Sequence, residues 1–295
     1  MKSRWNNWFF LLVVCAISIC AIGQDFQPLT SDKPKVAVFI TASAKDGSPV
    51  TLTSSDLSVS VDKRPAHIDE LRSAKDDPLL FAVVVDTSKS EGPNSDVIRN
   101  AVSQIFQSLS VSGNQGYLAL FNHFVAMSKT PLQISQVQEA IKVAKFQGGT
   151  AVYDAIEQTC TEKLSRSANS SFSRRIIVLI SDGEDNASHV PHERAETTAQ
   201  TEGVAVFSLV IPSSAALGES RGEHFMKGVS QQTGGRTILS KNLAEGMPLL
   251  LNAIEEQWAL SFTPVQAPNP KLHSLQIKGG QKDIHISAPA QISLR

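Results

Sequence analysis

The sequence has 295 residues, with 27 Lys and Arg against 28 Asp and Glu, and a formal net charge of −1. This balance provides no strong field for nucleic acid or for an anionic membrane surface, so neither is expected as a partner. The length is sufficient for a full α/β domain together with a smaller companion.

The first residues have the pattern of an export signal. A short basic start precedes an apolar run from Trp8 to Ile22, and small residues stand near the end of the run. This pattern predicts a signal peptide over residues 1–23, cleaved before Gln24, and therefore a secreted or periplasmic protein. The run is shorter than the ~20 apolar residues of a membrane-spanning helix. Membrane contact is expected only through this segment before cleavage.

Cysteine use predicts a protein without internal disulfides. Cys15 and Cys20 lie within the predicted signal peptide, which leaves Cys160 as the single thiol of the mature chain. Hydrophobic packing must therefore stabilise the fold. Cys160 stands on the apolar stripe of a predicted helix, where a buried thiol is expected.

Two segments near the ends of the chain have the pattern of β-strands. A flexible lead-in is predicted over residues 24–34, and alternating apolar and polar residues follow over 35–77 and again over 258–295. Period-two alternation is typical of half-buried antiparallel strands. Because neither segment has enough strands for an independent sheet, we predict that they pair into one small β-sandwich that flanks the domain between them.

The central segment, residues 78–257, has the pattern of an α/β domain. Continuous apolar runs over 79–85 and 176–180 are typical of parallel strands buried on both faces. Strands alternate with amphipathic helices, which predicts a Rossmann-like, doubly wound and mostly parallel sheet. The predicted strands are 79–85, 117–125, 176–180, 204–211 and 236–240, and the predicted helices are 97–109, 134–145, 151–164, 192–202, 223–232 and 243–256. Asn94 or Ser95 is expected to cap the first helix.

Polar residues follow three predicted elements at the edge of the sheet where such folds bind ligands. Asp86, Ser88 and Ser90 follow the first apolar strand, Thr150 lies in a Gly-Gly-Thr loop, and Asp182 follows the second apolar strand. They offer two carboxylates and three hydroxyls, without histidine or cysteine. Oxygen-only ligands select hard cations, so we predict a Mg²⁺ site, with Mn²⁺ or Ca²⁺ as alternative ions.

These five residues resemble the metal-ion-dependent adhesion site of von Willebrand factor A domains. Asp86, Ser88 and Ser90 match the D-x-S-x-S motif of that family, Thr150 matches its separate threonine, and Asp182 matches its last aspartate. The resemblance covers about residues 78 to 257. It implies that the serines and the threonine contact the metal, that the aspartates often act through water, and that an Asp or Glu of a partner protein completes the coordination.

A narrower resemblance concerns the whole arrangement of the chain. The order of strands and the flanking β segments are similar to an exported bacterial von Willebrand factor A-related family of the acidobacterial type, as is the stretch Gln257 to Phe262. The adhesion-type function is implied by the broader resemblance to von Willebrand factor A domains: a non-enzymatic module that binds a protein through its metal.

Two other functions stay open at the level of sequence. One is a metal-dependent hydrolase acting on phosphoryl or acyl substrates, and the other is a structural subunit of an envelope assembly with a vestigial site. Ser88 stands where phosphoryl-transfer hydrolases with a strand-end aspartate have a second acid. Neither a phosphate-binding glycine loop nor a nucleophile elbow is present in the sequence. No set of residues therefore supports an enzyme.

Several residues near the predicted site are interpreted without a metal role. Glu184 and Asp185 are expected to be solvated loop acids, and Asp154 is expected to be structural, in the first turn of a helix. His189 and His192 lack the H-E-x-x-H order of a zinc helix and are expected on the surface.

The loops around the site are expected to determine which partner binds. They include residues 91–95, residue 147 and the stretch 212–222.

Overall fold

The computed structural model describes residues 35–45, 47–169, 174–212, 219–265, 269–280 and 283–294. The predicted signal peptide and lead-in lie outside the described residues, as do parts of the loops at 165–173 and 212–222. Within the described ranges, no helix is both long enough and apolar enough to cross a membrane.

Strands and helices follow one another in an order that separates a central α/β unit from β segments on either side. The strands are β1 Val36–Ala44, β2 Leu57–Val61, β3 Arg64–Ser73, β4 Leu79–Asp86, β5 Gln115–Phe121, β6 Val125–Met127, β7 Arg174–Ile180, β8 Val204–Val210, β9 Thr237–Leu239, β10 Trp258–Thr263, β11 Asn269–Gly279, β12 Ile284–Ser287 and β13 Gln291–Leu294. The helices are α1 Ser95–Leu109, α2 Ile134–Val143, α3 Val152–Glu162, α4 His192–Glu202, α5 Arg221–Gln232 and α6 Leu243–Glu255.

The central unit is a six-stranded sheet in the order β6-β5-β4-β7-β8-β9. All neighbouring pairs are parallel except β5 with β6. Every residue of β4, β7 and β8 is buried, because helices cover both faces of the sheet. One core includes residues of α1, α2 and α6, and the other includes residues of α3, α4 and α5. The predicted doubly wound α/β fold is confirmed.

One predicted strand, 117–125, is two strands in the structure. β5 ends at Phe121 and β6 begins at Val125, and a tight turn joins them. In this turn the Asn122 N–H donates to the Phe124 carbonyl at 3.0 Å, and the Asn122 side chain accepts the Phe124 N–H at 3.0 Å. Apolar residues resume at Phe124 and Val125 after only two polar residues, so hydrophobic pattern alone did not reveal the reversal.

Both ends of the described chain contribute to a second sheet of seven antiparallel strands. Its order is β12-β1-β10-β3-β2-β11-β13. The sheet curls until β12, at one edge, contacts β11 near the other edge, so that it encloses a core of its own. The two ends were predicted to pair into a flanking β-sandwich, and in the structure they pair into this one curled sheet. The core contains Val38, Ile40, Val59, Val61, Leu260, Phe262, Leu275, Ile292 and Leu294, with their neighbours Ala42, Leu52 and Leu57.

The antiparallel sheet is bound to the amino end of the parallel sheet. Arg174, the first residue of β7, donates to the side chain of Gln257 at 2.8 Å and to the carbonyls of Ala74 and Ile254. The Thr41 hydroxyl of β1 donates to the carbonyl of Gly235, just before β9. The carboxyl end of the parallel sheet lies on the opposite side of the domain.

Cys160 is fully buried in α3, as predicted. Burial raises the pKa of its thiol, so Cys160 acts as a small apolar side chain of the core.

Candidate metal site

The predicted site lies where the strand order of the parallel sheet reverses. From β4 the chain proceeds to β5 on one side, and it later returns to β7 on the other side of β4. Open α/β sheets form a crevice at the carboxyl ends of two such strands. Asp86 is the last residue of β4, and Asp182 follows β7 by two residues. The topology therefore brings the two aspartates to one crevice.

Asp86 is fully buried and is held in place by two hydrogen bonds. Its Oδ1 accepts the backbone N–H of Ser88 at 2.8 Å, and its Oδ2 accepts the hydroxyl of Ser181 at 2.6 Å. Burial raises the pKa of Asp86 to about 6, and the nearby carboxylate of Asp182 acts in the same direction. No cation among the described side chains offsets this cost with an ion pair.

The two serines of the motif lie beside the aspartates. The hydroxyl oxygens of Ser88 and Ser90 are 2.9 Å apart. Burial raises the pKa of Asp182 as it does that of Asp86, and the side chains of Ser90 and Ser88, respectively, act in the opposite direction. Four of the five predicted ligands are thus close together in one crevice.

The loop that carries Thr150 is bound to the loops of both aspartates. Its Gly148 carbonyl accepts the N–H of Lys89 at 3.1 Å, and Gly148 has a φ of +83°, a conformation that favours glycine. The N–H of Thr150 donates to the Asn186 side chain at 2.9 Å, and the Thr150 carbonyl accepts the Asn186 N–H at 3.0 Å. Thr150 itself is buried. These backbone contacts bring the fifth predicted residue to the same crevice.

Glu91 is a third carboxylate at the site and is buried like Asp86, whereas sequence reasoning placed it in a partner-binding loop. It lies in the 3₁₀ helix Lys89–Asn94 and is only 2% exposed. One carboxylate oxygen from each of Asp86, Glu91 and Asp182 lies within 4.8 Å of the others. Burial raises the pKa of Glu91 to about 7, and the two aspartates add to the effect.

The cap predicted for α1 is also different in the structure. Asn94 occupies the N-cap position, but its side chain accepts no backbone N–H of the helix. It donates instead to Oε2 of Glu91 at 3.0 Å. The Asn94 side chain was expected to cap the helix, but in the structure it orients the carboxylate of Glu91.

The donors of the crevice fit a hard divalent cation. They are carboxylate and hydroxyl oxygens, brought together from three segments of the chain, and the described residues of the cluster include no histidine or cysteine. Buried carboxylates that repel one another are costly unless a positive charge is bound among them. A divalent cation would supply that charge.

Three further acids hold the loops of the site in place. Glu184 accepts the N–H of Gly222 at 2.9 Å, and Asp185 accepts the hydroxyl of Ser188 at 2.5 Å. Glu184 is exposed, as expected of a solvated loop acid, whereas Asp185 is half-buried, and each also accepts a hydrogen bond. Asp154 is buried and accepts the N–H of His189 at 2.9 Å, which supports its structural interpretation. Hydrogen bonds from His189 and Val190 lower the pKa of Asp154 despite its burial.

The two histidines of this region lie on the surface, as predicted. The side chain of His189 is 83% exposed and pairs with Asp154, and the side chain of His192 is 52% exposed at the start of α4. Neither belongs to the carboxylate cluster of the crevice.

An exposed aromatic side chain stands beside the site. Phe124, in the turn between β5 and β6, is 70% exposed and packs against the ring of His123. The carbonyl of Asn122 in the same turn accepts the N–H of Ala151 at 2.7 Å, next to Thr150. The turn is thereby fixed to the Gly-Gly-Thr loop, at the rim of the crevice.

Comparison with known proteins places this geometry in a family context. Residues 81–245 match the von Willebrand factor type A domain. No curated protein matches the chain.

Solved structures with a similar fold have low sequence identity. A von Willebrand factor type A protein from Catenulispora acidiphila is 11% identical over 91% of this chain and 74% of its own, with a TM-score of 0.51. Proximal thread matrix protein 1 from the mussel byssus, described with a zinc-occupied MIDAS motif, is 14% identical over 64% of this chain and 48% of its own, with a TM-score of 0.50. An aerotolerance-related membrane protein from Bacteroides fragilis is 14% identical over 60% of this chain and 99% of its own, with a TM-score of 0.47.

Proposed function

Because this chain belongs to the von Willebrand factor type A family, we propose that it is a non-enzymatic binding module that holds an acidic group of a partner protein through a divalent cation. The observation that supports this proposal is the crevice in which the hydroxyls of Ser88 and Ser90, 2.9 Å apart, lie beside the clustered carboxylates of Asp86 and Asp182. Such a set of oxygen donors is suited to binding a cation rather than to moving protons.

We assign the five predicted residues separate parts in this site. Ser88, Ser90 and Thr150 are direct ligands, whereas Asp86 and Asp182 neutralise the ion and orient its waters. The cation is Mg²⁺, with Mn²⁺ or Ca²⁺ as alternatives, since all donors are oxygen atoms. When bound, the ion supplies positive charge and a coordination position for a carboxylate. The zinc of the mussel protein's MIDAS motif is consistent with a divalent ion at this place in the fold.

The rim of the crevice supplies a second contact for the partner. Phe124 is 70% exposed, and an exposed aromatic side chain beside a charged anchor is the composition of a protein-binding surface. We propose that the acidic group of the partner binds the cation and that a neighbouring apolar side chain packs on Phe124.

We also propose that the protein is exported and belongs to the bacterial group with flanking β segments. The supporting features are the pattern of residues 1–23 and the antiparallel sheet built from both ends of the described chain. Amino-terminal sequencing of protein purified from the envelope or the medium would test export. We expect Gln24 as the first residue, and an intact amino terminus would contradict it.

Calorimetric titration of the mature chain with Mg²⁺ tests the metal site. Asp86→Ala should abolish the binding heat, because it removes a buried carboxylate of the crevice. Asp96→Ala is the matched control, since Asp96 is a highly exposed acid of α1 that pairs with Arg99. We expect its Mg²⁺ affinity to equal that of the wild type.

Unchanged Mg²⁺ affinity in Asp86→Ala, with a folded circular-dichroism spectrum, would overturn the site. The binding function is tested by partner capture from the envelope of the source organism, with and without chelator. Capture that is lost with chelator, with Asp86→Ala and with Phe124→Ala supports the proposal. Capture that is insensitive to chelator would instead favour a structural subunit with a vestigial site.

A further inference from the structure

Glu91 is the feature of the crevice that the five-residue motif does not explain. It directly follows Ser90, it is 2% exposed, and its carboxylate lies in one cluster with those of Asp86 and Asp182. A glutamate in a short surface helix ordinarily extends into solvent, because burial of its charge is costly. Its burial here requires a compensating interaction.

The carboxylate of Glu91 is oriented by its own helix. The Asn94 side chain, three residues later in the same 3₁₀ helix, donates to Oε2 at 3.0 Å. The carboxylate is therefore positioned before any ligand binds.

The described residues place three acids but no positive side chain in this cluster. No ion pair joins Lys, Arg or His to Asp86, Glu91 or Asp182 among the described side chains. Asn94 provides a dipole and not a charge. A divalent cation balances two carboxylates, so the third either coordinates the ion as well or must be kept away from it.

We propose, on the basis of the function proposed above, that Glu91 is a built-in carboxylate ligand of the cation and occupies the coordination position that the acidic partner must take. The partner then binds by displacing Glu91. The hydroxyls of Ser88 and Ser90, whose oxygens lie 2.9 Å apart, supply further oxygen donors to this crevice that do not depend on Glu91.

This arrangement has two consequences for the chemistry of the site. Glu91 strengthens binding of the free ion, because it contributes a third negative charge at short range. It also weakens binding of a carboxylate from outside, because it competes for the same position. The complex with the partner then carries one more negative charge than it would without Glu91. Glu91 therefore raises the affinity of the site for the metal and lowers its affinity for the partner.

Mn²⁺ titration monitored by electron paramagnetic resonance and water-proton relaxation tests the proposal. Both the affinity and the number of waters on the ion are obtained from the same samples. Glu91→Gln has nearly the same shape and retains an oxygen that can accept from Asn94. We expect it to weaken Mn²⁺ binding at least about tenfold, and to raise the relaxation per bound ion by the contribution of one water. Acetate should bind the ion of Glu91→Gln at a lower concentration than that of the wild type, because in the wild type it must displace Glu91.

Glu139→Gln is the matched control, because Glu139 is an exposed glutamate of α2 that lies outside the carboxylate cluster. It should retain wild-type affinity and relaxation. If Glu91→Gln also retains wild-type affinity and relaxation while Asp86→Ala loses Mn²⁺ binding, Glu91 is not a ligand. The inference about Glu91 then fails, and the proposed function stands. If Asp86→Ala retains Mn²⁺ binding as well, the proposed function fails with it.

Discussion

The two ends of the parallel sheet differ in how their polar residues are used. At the amino end, Arg174 is buried and its guanidinium binds a side chain and two carbonyls of neighbouring segments. At the carboxyl end, Asp86, Glu91 and Asp182 lie together, and their mutual repulsion is not balanced by a described ion pair. The hydrogen bonds of the Arg174 guanidinium are supplied by the protein, whereas the three carboxylates require a positive charge from outside it.

This difference separates structural from functional burial of charge. A buried polar group that has all its partners contributes to a specific fold, while a buried group that lacks a counter-charge reduces stability unless a ligand is bound. The antiparallel sheet covers the amino end and leaves the carboxyl end accessible. We therefore expect changes at the amino end to alter stability alone, and changes at the carboxyl end to alter stability and cation binding together.

The largest expected effect tests whether the two sheets form one cooperative unit. Phe81 lies in a core of the parallel sheet and Phe262 lies in the core of the antiparallel sheet, and both are fully buried. Phe81→Ala and Phe262→Ala should each lower the free energy of unfolding by about 3–5 kcal/mol. Both should do so in a single transition measured by urea denaturation. A separate early transition in Phe262→Ala would show that the antiparallel sheet unfolds independently.

The next prediction concerns the pH dependence of stability in the metal-free protein. The folded-state pKa of Asp86 is raised to about 6 and that of Glu91 to about 7. Between pH 4 and these values the folded protein binds protons that the unfolded chain has released, so stability falls as pH rises. Full ionisation costs on the order of 3 kcal/mol for each carboxyl.

Urea denaturation with chelator, at pH values from 4.5 to 8, measures this dependence. The loss of stability should be smaller in Asp86→Asn, which cannot ionise at that position. It should also be reduced by excess Mg²⁺ at the upper end of the range, because binding stabilises the folded state. Identical pH profiles in the wild type and in Asp86→Asn would contradict the account of this end of the sheet.

A smaller effect is expected from removing the guanidinium at the amino end. Arg174→Met retains much of the apolar stem but leaves the side chain of Gln257 and two carbonyls without their donor. We expect a loss of about 1–3 kcal/mol in unfolding free energy. Mg²⁺ affinity, measured by calorimetry, should not change. A parallel loss of affinity would show that the two ends are coupled.

The smallest effect is expected from an ion pair on the surface of the antiparallel sheet. Lys45 and Asp283 form an ion pair with each other, and their side chains are 64% and 77% exposed. Solvent and salt screen such a pair, so Asp283→Asn should change the unfolding free energy by less than about 1 kcal/mol. A larger loss would mean that the edge of this sheet depends on the pair.

The sequence predicted the parallel sheet well because its central strands are buried on both faces. Such strands appear as continuous apolar runs, and β4 and β7 are clear examples. The residues of the D-x-S-x-S motif could also be placed, since the carboxyl end of a strand has a known position in this fold class. The reversal after Phe121 could not, because it depends on hydrogen bonds of Asn122 and not on hydrophobic period.

Glu91 shows the limit of sequence reasoning at the site. Its position one residue after the motif is visible in the sequence, but its burial depends on a short 3₁₀ helix and on the contact with Asn94. Both are local features, but neither has a periodic signal in the sequence. The turn-forming pair Gly92 and Pro93 was the available hint that the chain bends back there.

Anomalous diffraction from crystals of the mature protein grown with Mn²⁺ tests the central claim most directly. We expect one strong anomalous peak in the crevice, in direct contact with the hydroxyls of Ser88 and Ser90 and with the carboxylate of Glu91. A crevice without a peak at saturating Mn²⁺, or a peak held by other residues, would contradict the account.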